Sequence, residues 1–237
     1  MKPLLLALQF LTRLPLPAVA ADTADFGRAI RWFPAAGLIV GSAVAAAAWV
    51  GLHRDAWLAA LLALAVWIAI TGALHLDGLG DIADAAGAAH RDPGRVSAVL
   101  ADPHIGSFGA VAIVLQVLTK LVLLHLVLRV SVPPALLLVP VLARLGPIAW
   151  AMTLPPLHAG MGTLFRAGAT GAVLVVWLAC LAVCAFLTNP ALLLMLGLAP
   201  LWAWWLRVRI GGLSGDGHGA GIELLETVGL LVLAVTG

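Results

Sequence analysis

Three carboxylates, Asp77, Asp81 and Asp84, fall within the stretch LHLDGLGDIAD (Leu74 to Asp84), which closes nineteen residues, Ala56 to Leu74, that carry no charge. If the helix of that apolar run continues, they sit at i, i+4 and i+7, on one face. Side by side they repel. At about 5 Å and an effective dielectric of about 20, each close pair costs roughly 3 kcal/mol, and a charge deep in a bilayer costs at least about 2.5–3.5 kcal/mol. A hard divalent cation with oxygen ligands, Mg²⁺ or Mn²⁺, offsets this repulsion and suits carboxylates shared with substrate phosphates. The competing reading is a solvated loop whose acids cap a helix start. Three acids on one face, flanked by Gly78 and Gly80, favour the ion. His75 is read either as a substrate contact or as a hydrogen-bonded residue at a span end.

Further along, RVSAVLADPHIGSFG brings Asp102 to a Gly-rich helix entry, as a fourth carboxylate or as an N-cap. A second Gly-rich segment, GGLSGDGHGAGIELLE, surrounds Asp216 and leads into Glu223 and Glu226. It lacks the Lys-Ser/Thr ending of a P-loop and the strand of a dinucleotide fold. A helix start after such a loop suits phosphate or sugar, and Glu223 and Glu226, at i and i+3, suit a metal or a cationic group. A flexible turn followed by helix-stabilising acids is the alternative. Lys120 and Arg144 lie inside apolar runs, where an unpaired charge is expensive. Either they pair with carboxylates inside the bundle, or they face a polyanionic substrate.

The elements that position these residues are membrane spans. Of 237 residues 63% are apolar and 10% charged, with mean hydropathy +1.11, against about 45–50% and about 25% in an ordinary soluble domain. Runs near 34–52, 56–74, 106–128, 133–153, 168–188, 190–206 and 222–237 approach the roughly 20 residues needed to cross hydrocarbon. The expected fold is therefore all-α: one polytopic membrane bundle of six or seven transmembrane helices over 1–237, with an acidic metal site at its cytoplasmic side. Residues 1–33 are expected as a retained N-terminal interfacial segment, 75–105 as a cytoplasmic acidic loop and 207–221 as a cytoplasmic Gly-rich loop.

With the N-terminus inside, the inner segments hold Lys2, Arg13, Arg28, Arg31, Arg91, Arg95, Arg166, Arg207 and Arg209, against Arg54 and Arg129 outside. Trp202, Trp204 and Trp205 fit an interfacial belt. Cys180 and Cys184, one turn apart in an apolar run, read as small hydrophobes and not as a disulfide. A net charge of +2 with scattered basic residues excludes a nucleic-acid surface.

Together ALQFLTRLP, HLDGLGDIAD, DPHIGSFG, the lone Arg144 and GDGHGAGIELLE resemble the cobalamin synthase family, the adenosylcobinamide-GDP ribazoletransferases, over nearly the whole chain. The resemblance implies a multi-pass enzyme of the bacterial or archaeal cytoplasmic membrane, with its active site inside. Such an enzyme uses Mg²⁺ to join adenosylcobinamide-GDP to α-ribazole or its 5′-phosphate and releases GMP. The family shares its logic with CDP-alcohol phosphotransferases, in whose motif Asp81, Asp84, Ala88 and Asp102 fall in register, while Ala85, Ala89, Ala98 and Gly106 replace a Gly, an Arg, a Gly and the final Asp.

On that resemblance Asp77 and Asp102 are the catalytic carboxylates, with Asp77 standing in for the missing base. Asp77, Asp81, Asp84 and Asp102 hold metal, and His75, Lys120, Arg144, Asp216, Glu223 and Glu226 contact substrate. The implied step is direct attack by a ribazole oxygen on the cobinamide-side phosphorus. The 5′-oxygen is one nucleophile; where phosphate blocks it, the ribose 3′-hydroxyl attacks, and the family's 3′-linked product favours that choice. The alternatives are a phospholipid-type CDP-alcohol phosphotransferase and a cation-coupled transporter with mid-bilayer carboxylates and two repeated halves. An oligomer is compatible with all three.

Overall fold

The computed structural model describes residues 2–89, 93–129, 131–157 and 161–237; Arg91, counted above among the inner basic residues, lies outside them. Every extended element among the described residues is helical. The chain opens with α1 (Lys2–Leu11), an apolar helix too short to span a bilayer. Its Leu6, Leu8 and Leu11 are buried against Ile30, Phe33 and Phe165. The next element, α2 (Thr23–Leu52), begins well before the expected span at 34, because Asp22 caps it and a 3₁₀ turn at Ile30–Trp32 carries the helix into the apolar run.

From α2 the chain turns back as α3 (Ala56–Thr71), capped by Asp55, whose carboxylate accepts the amides of Trp57 and Leu58. It ends where Gly72 (φ 61°) and Ala73 (φ 57°) are both left-handed, and α4 (Leu74–Ala89) leaves at 82° to α3. The expected acidic loop is thus a helix as far as Ala89. It runs across the bundle end because two consecutive left-handed residues break the hydrogen-bond ladder. Short helices at Pro93–Arg95 and Val96–Leu100 pack beside it.

The remaining long helices are α5 (Ser107–Val127), α6 (Ala135–Thr153), α7 (Gly171–Thr188), α8 (Pro190–Arg209) and α9 (Gly215–Thr236). Six helices, α2 and α5 to α9, are long and apolar enough to cross a membrane; α3 and α4 pass that test only as a bent pair, of which α3 is the strongly apolar part and α4 the part that lies across the bundle end. The last helix, α9, begins at Gly215, capped by Ser214, so the second half of the expected 207–221 loop is its first two turns, and residues 207–209 still belong to α8. Pro140 and Arg144 interrupt α6, yet it is the most enclosed of the six. By contrast α7 is almost entirely exposed, with Val175, Val176, Val183, Phe186 and Leu187 pointing outward, as lipid contact requires. Cys180 and Cys184 are free on that same exposed helix. Of the expected tryptophan belt, Trp204 is exposed, but Trp202 is buried and donates to the Gly217 carbonyl at 3.0 Å, fixing the start of α9.

Chain direction gathers the ends. The starts of α5 and α9, all of α4 and the end of α8, with Arg207 and Arg209, share one end of the bundle. Arg54, in the α2–α3 turn, and Arg129, just past α5, fall at the other.

Candidate active site

Three elements build the acidic end: α4 lies against α9 and against the start of α5. The α4–α9 crossing is close because both helices present glycine. A Cβ added at Gly78 would lie 2.9 Å from the Asp216 Cα, and one at Gly219 would lie 3.2 Å from the His75 Cα. Such small-residue contacts let two backbones touch, and here they bring the Asp77–Asp81 face of α4 beside Asp216.

Asp84 has a distinct task. Its carboxylate accepts the amides of Gly106 (2.7 Å) and Gly109 (3.0 Å), so it caps α5 from a neighbouring helix. Gly106, the N-cap residue, has no side chain to do this. Asp81 remains in the midst of the acids. Burial first, and then the charges of Asp216, Asp77 and Asp84, push its carboxyl up to about 6. Asp216 sits in the first turn of α9, where Ser214 Oγ lies 3.3 Å from its carboxylate.

Asp102 is not brought into this group. It is exposed on the turn before α5 and accepts from the backbone amide of His104 at 3.0 Å, with the His104 Nδ1 at 2.7 Å, contacts that hold its carboxyl below the usual range. Among the described residues no three His, Cys, Asp or Glu side chains close on a common point as a ready metal cage. Mg²⁺ does not demand one: it typically takes one or two carboxylates and completes its shell with phosphate oxygens and water. Hard carboxylate oxygens crowded until one resists ionisation fit that ion.

Ten residues along α9 from Asp216, about 15 Å of helix rise, lies a second charged group. Lys120 Nζ is 2.6 Å from both Glu223 and Glu226, Arg144 Nη1 donates to Glu226, and Gln116 Nε2 donates to Glu223 at 2.8 Å. The Lys120 ammonium stands 4.4 Å from the Trp67 ring centroid. All four charges are buried, Arg144 and Glu226 completely. The structure thus takes the first of the two readings for Lys120 and Arg144: each pairs inside the bundle, and the cationic partners of Glu223 and Glu226 are these side chains. Two positive and two negative charges balance, which is how a membrane interior tolerates them.

His75 lies at the α4–α9 contact, buried, on a cavity it shares with Asp77, Asp216 and His218. The sequence reading passed over His218, Phe10 and Phe33, which line the same cavity. The Asp-Gly-His-Gly run was the available signal for His218, but only the packing of α1 against α2 joins the two phenylalanines to it.

The chain matches the family model described as cobalamin-5-phosphate synthase over residues 3–234. It is similar to proteins named adenosylcobinamide-GDP ribazoletransferase from Novosphingobium aromaticivorans (55% identical, covering 100% of this chain and 98% of the relative), Thiobacillus denitrificans (50%, 100% and 96%) and Laribacter hongkongensis (52%, 99% and 97%). No solved structure matches it.

Proposed function

The chain belongs to the cobalamin-5-phosphate synthase family, and from that premise we propose that it transfers the adenosylcobinamide phosphoryl group of adenosylcobinamide-GDP to α-ribazole or its 5′-phosphate at the acidic end of the bundle. The names of its relatives favour this reading over a CDP-alcohol phosphotransferase or a transporter. The convergence of Asp77, Asp81 and Asp216, with Asp84 alongside, is the observation that carries the location.

In this reading the ribose 3′-hydroxyl attacks the cobinamide-side phosphorus, the bond from that phosphorus to the bridging oxygen breaks, and GMP leaves with that oxygen. Asp77, on the cavity wall, accepts the hydroxyl proton as the new P–O bond forms. Asp81 and Asp216 would hold Mg²⁺, with Asp77 and Asp84 beside them, while Asp102, turned to His104, stands outside the group. Bound there, the ion supplies charge neutralisation on the diphosphate. Asp84 also keeps the α5 start in register with α4, so the acids hold a fixed spacing. Since Lys120 and Arg144 are occupied by Glu223 and Glu226, their part is to stiffen the α5–α6–α9 core beneath the site. The basic residues near the acidic end agree with that end facing the cytoplasm of a bacterial inner membrane.

The deciding assay is GMP release by the purified protein in lipid, given adenosylcobinamide-GDP and α-ribazole 5′-phosphate, with and without Mg²⁺. Wild type is expected to release GMP with the metal, in step with a cobalamin product. Asp81→Asn is expected to lose at least about 100-fold while staying folded, because it removes a repelling charge. A folded wild type that releases no GMP with Mg²⁺ or Mn²⁺ overturns the proposal.

A further inference from the structure

Beside the acidic cluster, between α1, the first turns of α2's apolar run, and the starts of α4 and α9, lies a cavity of about 200 Å³. Phe10 and Phe33 line it, and their rings pack with each other at a centroid distance of 5.9 Å and with Phe165 at 5.1 and 5.3 Å. Two imidazoles complete the wall. His75 is 4% exposed and His218 6% exposed, and none of their four ring nitrogens has a hydrogen-bond partner among the described residues. Buried polar groups are normally paired, so two unpaired imidazoles on one small cavity point to a ligand that enters it.

Size and chemistry narrow the ligand. The cavity is below the about 300–1,000 Å³ of sites that enclose a drug-sized molecule, so it fits one bicyclic ring system and not a corrin. Its walls are mostly apolar and aromatic. Guanine presents donors and acceptors along several edges, and with Asp77 and Asp216 engaged at the reacting groups in the transferase reading, two imidazoles leave most of them unpaired. A dimethylbenzimidazole is apolar on its faces and methyl edge and offers one unsubstituted ring nitrogen that accepts a hydrogen bond, which an imidazole N–H supplies once the ring turns its buried nitrogen toward the cavity. Asp77 and Asp216 line the same cavity, so a sugar attached to a base held there emerges among the carboxylates.

We propose that this cavity, between His75 and His218, receives the heteroaromatic base of the acceptor riboside and so sets which bases the enzyme accepts. The inference rests on the transferase reading above and specifies where its acceptor binds.

The test follows α-ribazole binding through the benzimidazole's own fluorescence, with the full chain in lipid nanodiscs, alongside the GMP-release assay. The wild type binds, His218→Phe weakens binding at least tenfold, and His218→Gln, which restores an N–H donor, recovers part of the loss. In turnover the acceptor KM rises by the same factor in His218→Phe, while the KM for adenosylcobinamide-GDP stays within twofold. Should His218→Phe fail to fold, His75→Phe, on a different helix, is expected to give the same loss. A wild type that releases GMP while His218→Phe binds ribazole unchanged overturns the cavity assignment and leaves the transferase standing. A rise in the donor KM with the acceptor KM unchanged gives the cavity to guanosine and also overturns it. A wild type that neither binds ribazole nor releases GMP overturns both.

Discussion

Individual charges in this chain fall into two kinds, and their environments separate them. Glu226 has no exposed surface and is held by Lys120 and Arg144. Glu226→Gln leaves Arg144 buried without its counter-charge and is expected to cost about 3–5 kcal/mol, read as a lowered denaturation midpoint; pairing it with Arg144→Met is expected to restore much of the loss. Asp81 behaves oppositely. Its carboxyl is raised from 3.8 to about 6, first by burial and then by Asp216, Asp77 and Asp84. The folded chain therefore holds a proton that the unfolded chain has released, so in the absence of a cation this group's contribution to stability falls as pH rises through that window. On the proposed reading, a bound cation displaces that proton. Below pH 6 the Mg²⁺ concentration for half-maximal GMP release is expected to rise by about tenfold per pH unit, as one displaced proton requires, and titrating Mg²⁺ at several pH values checks it.

Among the elements, α4 does most to define the site, since it crosses the bundle end and touches the starts of both α5 and α9. Its place depends on the break at Gly72 and Ala73 and on the contact at Gly78. A side chain at Gly78 meets backbone of Asp216 at 2.9 and 3.0 Å, which cannot rotate away. Gly78→Val is expected to destabilise by about 1–3 kcal/mol and to lower GMP release by moving Asp77 and Asp81 away from Asp216. Gly197→Ala, where a Cβ would meet nothing within 4 Å, is the control expected to keep both values. Unfolding midpoints of the two variants in one detergent decide the matter.

At the scale of the molecule, the direction of the helices puts the acidic cluster and most basic residues at one end, with Arg54 and Arg129 at the other. With Cys180 and Cys184 replaced by Ala, a single cysteine at Arg54 is expected to react in intact cells with a reagent that cannot cross the membrane. One at Arg207 is expected to react only after the cells are opened. The reverse pattern would turn the proposed orientation over.

Composition alone pointed to a membrane protein, because an apolar fraction of 63% is too large to bury inside one globule, and the length of its apolar runs made it helical. The span count followed from run length, and the face shared by Asp77, Asp81 and Asp84 from helical spacing. The motifs in order identified the family. Tertiary structure decided which charges belong together. Lys120, Arg144, Glu223 and Glu226 lie up to 106 residues apart and meet only because α5, α6 and α9 pack side by side. Asp84 became a helix cap through the α4–α5 approach, and His218 joined His75 only where Gly219 lets two backbones touch. Periodicity reports which face of a helix a residue occupies, but the partner across that face comes from packing between distant segments, which no local pattern encodes.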